Sequence, residues 1–181
     1  MEAFETVISE ILWRDGYWVQ PRLKVDLTRE DKVAIGRPTS PRWEIDVVGY
    51  RGRSNELLLV ECKSYLDWTG VTYRAVFGTD PKFSGRFKLF NDEQLRQVVV
   101  ARLCQQLRES GLVSESPQVK IALACGKIAS EPDRHRIQDH FADMGWLLWD
   151  GHWLKEKLRD MSAGSYENSP VAMVAKLLLR D

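Results

Sequence analysis

The stretch "EIDVVGYRGRSNELLLVECKSY", Glu44 to Tyr65, decides how this chain is read. Two apolar runs flank a turn cluster of Arg51, Gly52, Arg53, Ser54 and Asn55, the pattern of a β-hairpin. Both runs carry charges, Asp46 in the first and Glu61 and Lys63 in the second, where strands ordinarily hide apolar side chains. An acidic residue two before a lysine also occurs at Glu30/Lys32, in a polar loop, and at Asp80/Lys82, across Pro81. Only Glu61 and Lys63 follow an apolar run, "LLLV", that must be a strand.

Period-2 geometry puts Glu61 and Lys63 on the same strand face as Leu59, with Asp46 on the face opposite Ile45 and Val47 in the partner strand. Both strands are expected to be central, so their polar residues converge where the strands diverge. Two buried carboxylates at one spot repel, and one takes up a proton unless a cation intervenes. A divalent metal removes the conflict, since hard cations choose carboxylate oxygens. Lys63 then stays protonated and is able to hold a phosphate oxygen or an attacking water. The competing reading is a structural ion pair of Lys63 with Asp46 or Glu61 at the end of the hairpin.

Outward from the hairpin, "FETVISEIL" places Phe4, Val7, Ile8, Ile11 and Leu12 at helical spacing, and Gly16 stops the pattern, giving a helix over 2–15. A strand over about 17–27 and the polar loop "TREDKVAIGRPTSPR" lead into the hairpin. Asn91, with Gln94 at the capping-box position, is expected to start a long helix ending near residue 110. "QVKIALACG" reads as a buried strand, "EPDRHRIQDHFADMG" as a helix, "WLLWD" as a short strand and "GHWLKEKLRDM" as a helix. "SPVAMVAKLLLRD" is a last helix with Pro170 near its start. The order is α-β-β-β-α-β-α-β-α-α, a small mixed central sheet flanked by helices. The 181 residues suit a single domain, 1–181, with no internal repeat.

The hairpin "EIDVVGY…LLLVECK" resembles the D…(D/E)xK core of the PD-(D/E)xK nucleases, the restriction-endonuclease-like superfamily, with Ile45 standing where the name has proline. "FETVISEILWRDGYWV" resembles the first helix of its Mrr-like and Holliday-junction-resolvase-like branch, and "VKIALACGKIA…HFADMGWLLWDGHWLKEKL" its later strands and helices. The likeness spans about residues 3–160 apart from 65–90. It implies a restriction-endonuclease-like fold and a Mg²⁺- or Mn²⁺-dependent endonuclease acting on DNA. The implied catalytic residues are Glu5, Asp46, Glu61 and Lys63, with Asp46 and Glu61 on the metal. Helix geometry agrees on Glu5, which falls at the edge of the apolar stripe; its alternative is a solvated boundary residue. A rival of another class keeps the fold and the charged cluster but is a catalytically inactive binding or regulatory subunit serving a partner protein.

The insertion "LDWTGVTYRAVFGTDPKFSGRFKLF" interleaves aromatic and basic residues and has no clear periodicity. Bases stack on aromatics while Lys and Arg meet phosphates, so Trp68, Arg86 and Lys88 are candidate nucleic-acid contacts. A satellite apolar cluster that straps the connection to the body is the alternative. Gln94 and Gln97 are equal candidates for the glutamine that the family often has after its Glu-x-Lys. His135 and His140, five apart, read as surface residues.

With 26 basic and 26 acidic residues the net charge is zero, which excludes a global basic signature but not a local basic surface. No apolar run approaches a membrane span, and the acidic start Met-Glu-Ala-Phe-Glu does not read as a secretory signal. Cys62, Cys104 and Cys125 match no zinc spacing and read as small hydrophobes in a reducing cytoplasm. A homodimer is expected to suit two-strand cleavage, with Val171, Val174, Ala175 and Leu178 forming either its interface or part of the core.

Overall fold

The computed structural model describes residues 2–39, 42–165 and 168–179. Five strands form one sheet in the order β1-β2-β3-β4-β5, and helices cover both of its faces. The hairpin is its centre: β2 (Trp43–Arg51) and β3 (Glu56–Lys63) pair antiparallel from Val47↔Val60 to Arg51↔Glu56. A 3-10 turn at Gly52–Ser54 joins them, and Asn55 closes it in the left-handed region at φ 48°. β1 (Trp18–Val25) runs antiparallel to β2. β4 (Gln118–Cys125) lies parallel to β3 from Glu56↔Gln118 to Lys63↔Cys125, and β5 (Leu147–Trp149) parallel to β4.

Alternation along β3 sorts the core. Leu57 and Leu59 face one layer, with Leu95, Val99, Leu103 and Leu107 of α5 (Glu93–Glu109) and Ile137 and Phe141 of α6 (Glu131–Met144). Leu58 and Val60 face the other, with Ile8, Ile11 and Leu12 of α1 (Ala3–Arg14), Leu154 of α7 (Gly151–Ala163), and Ala172 and Ala175 of α8 (Pro170–Leu179). Fully burying each of the Leu, Ile, Val and Phe side chains stabilises the fold by roughly 1.5–3 kcal/mol.

Several expectations need correction. The polar loop after β1 contains a short helix, α2 (Arg29–Ala34), capped reciprocally by Thr28 and Asp31; it buries no residue, so no apolar stripe announces it. The cap of α5 is Asp92, whose carboxylate accepts from the Leu95 N–H at 3.1 Å. Asn91 instead ends α4 (Lys88–Asn91), with its amide donating to the carbonyls of Ala75 and Ser84.

The 65–90 insertion is built into the main core, not into a satellite. It holds α3 (Tyr73–Val76), a 3-10 turn at Ser84–Phe87 and α4, and it buries Val71, Ala75, Val76, Phe87 and Leu89. Val71 bridges in parallel to Ile128 just beyond β4. Gly70, at φ 106°, permits this approach: a Cβ there would meet the Ile128 carbonyl carbon at 2.8 Å. The stripe proposed on α8 divides. Ala175 is buried and Val171 packs on the core, while Val174 and Leu178 are exposed. No described helix is long and apolar enough to cross a membrane.

Candidate functional site

The β2–β3 ladder stops at Val47↔Val60, whereas β3 stays paired to β4 as far as Lys63. The two central strands therefore part at Asp46 and Glu61, and the gap opens a cleft of about 410 Å³. Asp46 stands at a break in alternation: Ile45 packs in one core layer and Val47 in the other. Opposite this break, between the pairs Pro21↔Val47 and Leu23↔Ile45, Arg22 takes a left-handed backbone at φ 52°. The simple parity expected of Asp46 does not hold across this twist.

Asp46 replaces the missing ladder acceptor, its Oδ2 taking the Cys62 N–H at 2.7 Å. The Lys63 ammonium sits 2.5 Å from Glu61 Oε1 and 3.7 Å from Asp46 Oδ2, and it donates to the Cys62 carbonyl at 3.1 Å. Asp46, Glu61 and Lys63 thus converge, the side chains of Lys63 and Glu61 only 16% and 13% exposed. Touching one nitrogen, the two carboxylate oxygens lie within about 6 Å of each other, close enough to share a cation after small side-chain rotations.

Burial dominates the electrostatics here. It pushes the Glu61 pKa up to about 7; Lys63 opposes the shift and Asp46 adds to it. Burial works against the Lys63 ammonium too, but Glu61 and Asp46 outweigh it and raise its pKa. The Cys62 thiol is driven well above its ordinary range by burial and the neighbouring carboxylates, so it is an inert thiol.

Glu5 comes to the cleft from α1, only 7% exposed. It is no solvated boundary residue. Its carboxylate accepts the Glu2 N–H at 3.2 Å in a capping box, and burial, with Asp46 nearby, raises its pKa. The Glu2-x-x-Glu5 spacing is the sequence signal for this second role.

On the opposite wall stand Tyr65, Gly85, Arg86 and Lys88. Lys88 lies 3.7 Å from Asp92, one turn along the chain. Trp68 is not on this wall; it lines an adjoining slot. Neither Gln94 nor Gln97 is among the lining residues; both are exposed, and the Gln97 amide donates to Glu93. His140 is half-buried, edge-on to Phe77 at 4.1 Å, and not a surface residue, whereas His135 is exposed. Glu44, Trp43 and Ser64, which no sequence signal singled out, complete the lining.

Five carboxylates line the cleft, from Glu2, Glu5, Glu44, Asp46 and Glu61, against three basic side chains, and of the five Glu44 is also paired, with Arg22 at 3.0 Å. Among the described residues no group of three or more His, Cys, Asp or Glu stands at metal-holding spacing. The pair Asp46 and Glu61 with the Cys62 carbonyl is nonetheless a hard-oxygen donor set. It fits Mg²⁺, which commonly takes one or two carboxylates and fills its other positions with water and phosphate.

The fold and site define an α/β protein whose mixed sheet carries a buried carboxylate–lysine cluster where its two central strands separate. No protein-family model, curated protein or solved structure matches the chain.

Proposed function

We propose that the protein is a Mg²⁺- or Mn²⁺-dependent endonuclease of the PD-(D/E)xK type, with a restriction-endonuclease-like fold, that hydrolyses phosphodiester bonds in DNA. The observation that carries this reading is the convergence of Asp46 and Glu61 on the Lys63 ammonium in an open, carboxylate-lined cleft. A purely structural ion pair has no need of the excess carboxylates around it, and a phosphate would be repelled by them without a divalent ion. Strands that hold the three residues on adjacent backbones also keep them rigid, as a preorganised site requires.

Asp46 and Glu61, with the Cys62 carbonyl, would hold the ion. When bound, the ion supplies Lewis acidity to the scissile phosphate and acidifies a water. Lys63 orients the attacking water and neutralises charge that gathers on the phosphoryl oxygens as the water oxygen bonds to phosphorus and the P–O bond to the leaving strand breaks. Glu5, fixed by its helix cap, lines the same cleft and would take up the proton that the attacking water gives up. Arg86 and Lys88 across the cleft meet the phosphates on either side.

The test is incubation of the purified protein with supercoiled plasmid and with end-labelled duplex, single-stranded, flap and junction DNA, in Mg²⁺ and in Mn²⁺. Metal-dependent product ladders are expected, abolished by EDTA. Binding without cleavage of any substrate in either metal would overturn the reading. It would favour the inactive binding or regulatory subunit, for which the self-satisfied Lys63 contacts are the supporting observation.

A further inference from the structure

A second cavity, of about 140 Å³, opens beside the carboxylate cleft, and Tyr65 and Arg86 form the wall between them. Its chemistry is the reverse of its neighbour's. Tyr65, Trp68, Val71, Phe83 and Phe87 line it, Thr69 and Thr72 edge it, and Asp80, whose carboxylate accepts the Lys82 and Phe83 N–H groups, is its one acidic residue.

Trp68 is 59% exposed. It is nevertheless held firmly. Its N–H donates to the Tyr65 carbonyl at 3.2 Å, its own carbonyl accepts from Lys127 at 2.9 Å, and its indole lies near-parallel to the Tyr65 ring at 6.4 Å. Tyr65 itself takes a left-handed backbone, φ 45°, which turns the chain sharply after the strand that bears Lys63. The Arg86 guanidinium lies between Trp68, at 5.8 Å, and Phe83, at 5.5 Å, and bonds the Tyr65 hydroxyl. Among the described residues no carboxylate pairs with it, so its charge stays available at the boundary of the two cavities.

We propose that this aromatic slot receives an unpaired base, so that the strand presented to the carboxylate cleft is single-stranded DNA; this rests on the nuclease reading above. A base inside a duplex has both faces covered by its stacked neighbours and offers none to Trp68. An unpaired base stacks on the indole while its own phosphate falls at Arg86 and the next one reaches the cleft. The slot is apolar and sequence-tolerant, since every base has a π-face. Arg86 couples stacking to phosphate contact in a single side chain.

The test needs no catalysis. In Ca²⁺, a hard cation that takes the same carboxylate oxygens, the anisotropy of a fluorescein-labelled single-stranded 12-mer and of a blunt 12-base-pair duplex is measured against the wild type, Trp68→Ala and Trp68→Phe, each checked by circular dichroism for unchanged fold. The single strand is expected to bind at least tenfold tighter than the duplex. Trp68→Ala should lose about tenfold on the single strand and little on the duplex, and Trp68→Phe should recover most of the loss. Equal affinities for the two DNAs, or a Trp68→Ala variant that binds the single strand like wild type, would overturn the slot. Trp68-dependent binding without cleavage in Mg²⁺ or Mn²⁺ leaves the slot standing and removes the nuclease. Duplex cleavage unaffected by Trp68→Ala does the reverse.

Discussion

Strand β3 begins and nearly ends on a buried glutamate, and the two are opposites. Glu56, 5% exposed, has three partners: the Tyr17 hydroxyl donates to it, Lys120 lies 2.7 Å away and Arg51 3.2 Å away. Burial would raise its pKa, but Lys120, the tyrosine hydroxyl and Arg51 overcome that and hold it below the usual carboxylate range. Burial, with the Glu56 contact, pushes Tyr17 up to about 12. Glu61 shares one lysine with Asp46, and burial wins. A protein that satisfies one end of a strand so fully has the means to satisfy the other. On the proposed reading, the shortage of positive charge at Glu61 is what an external cation would make good.

The sharpest way to break the comparison is to neutralise each glutamate in turn. Glu61→Gln should reduce DNA cleavage by about 10³-fold or more, by weakening the metal site, while the thermal midpoint holds or rises. Glu56→Gln should leave cleavage within about threefold, because Glu56 lies at the far end of the strand, but lower the midpoint through the loss of a buried charge with three partners. Measured cleavage rates and melting curves for the pair decide the matter. Equal rates for Glu61→Gln and wild type would remove Glu61 from the site.

Lys63→Ala gives the next largest effect. The ammonium is the counter-charge to two largely buried carboxylates as well as a candidate catalytic group. Removing one partner of a buried cluster costs roughly 3 kcal/mol, about 6–12 °C for a chain of this size. Adding Mn²⁺ should recover part of that loss, because the ion supplies counter-charge to the same two carboxylates. A Glu56→Ala variant, which loses roughly 2 kcal/mol, should show no such recovery. Calorimetry of both variants with and without Mn²⁺ tests whether the two ends differ in kind or only in degree.

What the sequence disclosed follows the same division. The hairpin was legible because "LLLV" between turn residues admits no other reading, and Asp46, Glu61 and Lys63 stood out as charges in apolar strands. Alternation at Asp46 was not legible, since the left-handed Arg22 that accompanies the face change sits on another strand. The insertion resisted periodicity because its buried residues answer to partners distant in sequence, Val71 to Ile128 above all. Helix α2 hides no apolar face, and "ND" at 91–92 offers two good caps of which tertiary packing selects the second. Glu5 was named through the family resemblance, with its position on the stripe in agreement, but its capping role was read only from the structure.

The pH dependence of the metal-free protein separates the two glutamates more finely. Glu61 is raised above its unfolded value of 4.5, so the folded state holds its proton more tightly and the stability contribution is full below pH 4.5. That contribution is lost as pH rises through about 7. Glu56 is lowered, so its contribution is present above pH 4.5 and fades as pH falls below it. In EDTA the wild type should therefore lose a few degrees of midpoint between pH 5.5 and 8.5, and Glu61→Gln should flatten that slope. An unchanged slope in Glu61→Gln would assign the pH dependence to another group.

The smallest effect belongs to the far wall of the cleft. Lys88 lines it but leans on Asp92 at 3.7 Å, so its charge is shared before DNA arrives. Each phosphate neutralised by a protein cation releases condensed counterions and adds about 0.7 to the slope of log affinity against log salt on a single strand. Lys88→Ala should therefore weaken binding by roughly two- to fivefold at 0.1 M salt and make the slope shallower by no more than about 0.7. Asp92→Asn, which frees Lys88, should move affinity the other way, although its amide must still cap α5. Anisotropy titrations at four salt concentrations suffice. If Lys88→Ala and wild type share both affinity and slope, the far wall holds the insertion to the body at this position, and the phosphate contact falls to Arg86, which among the described residues has no carboxylate to release.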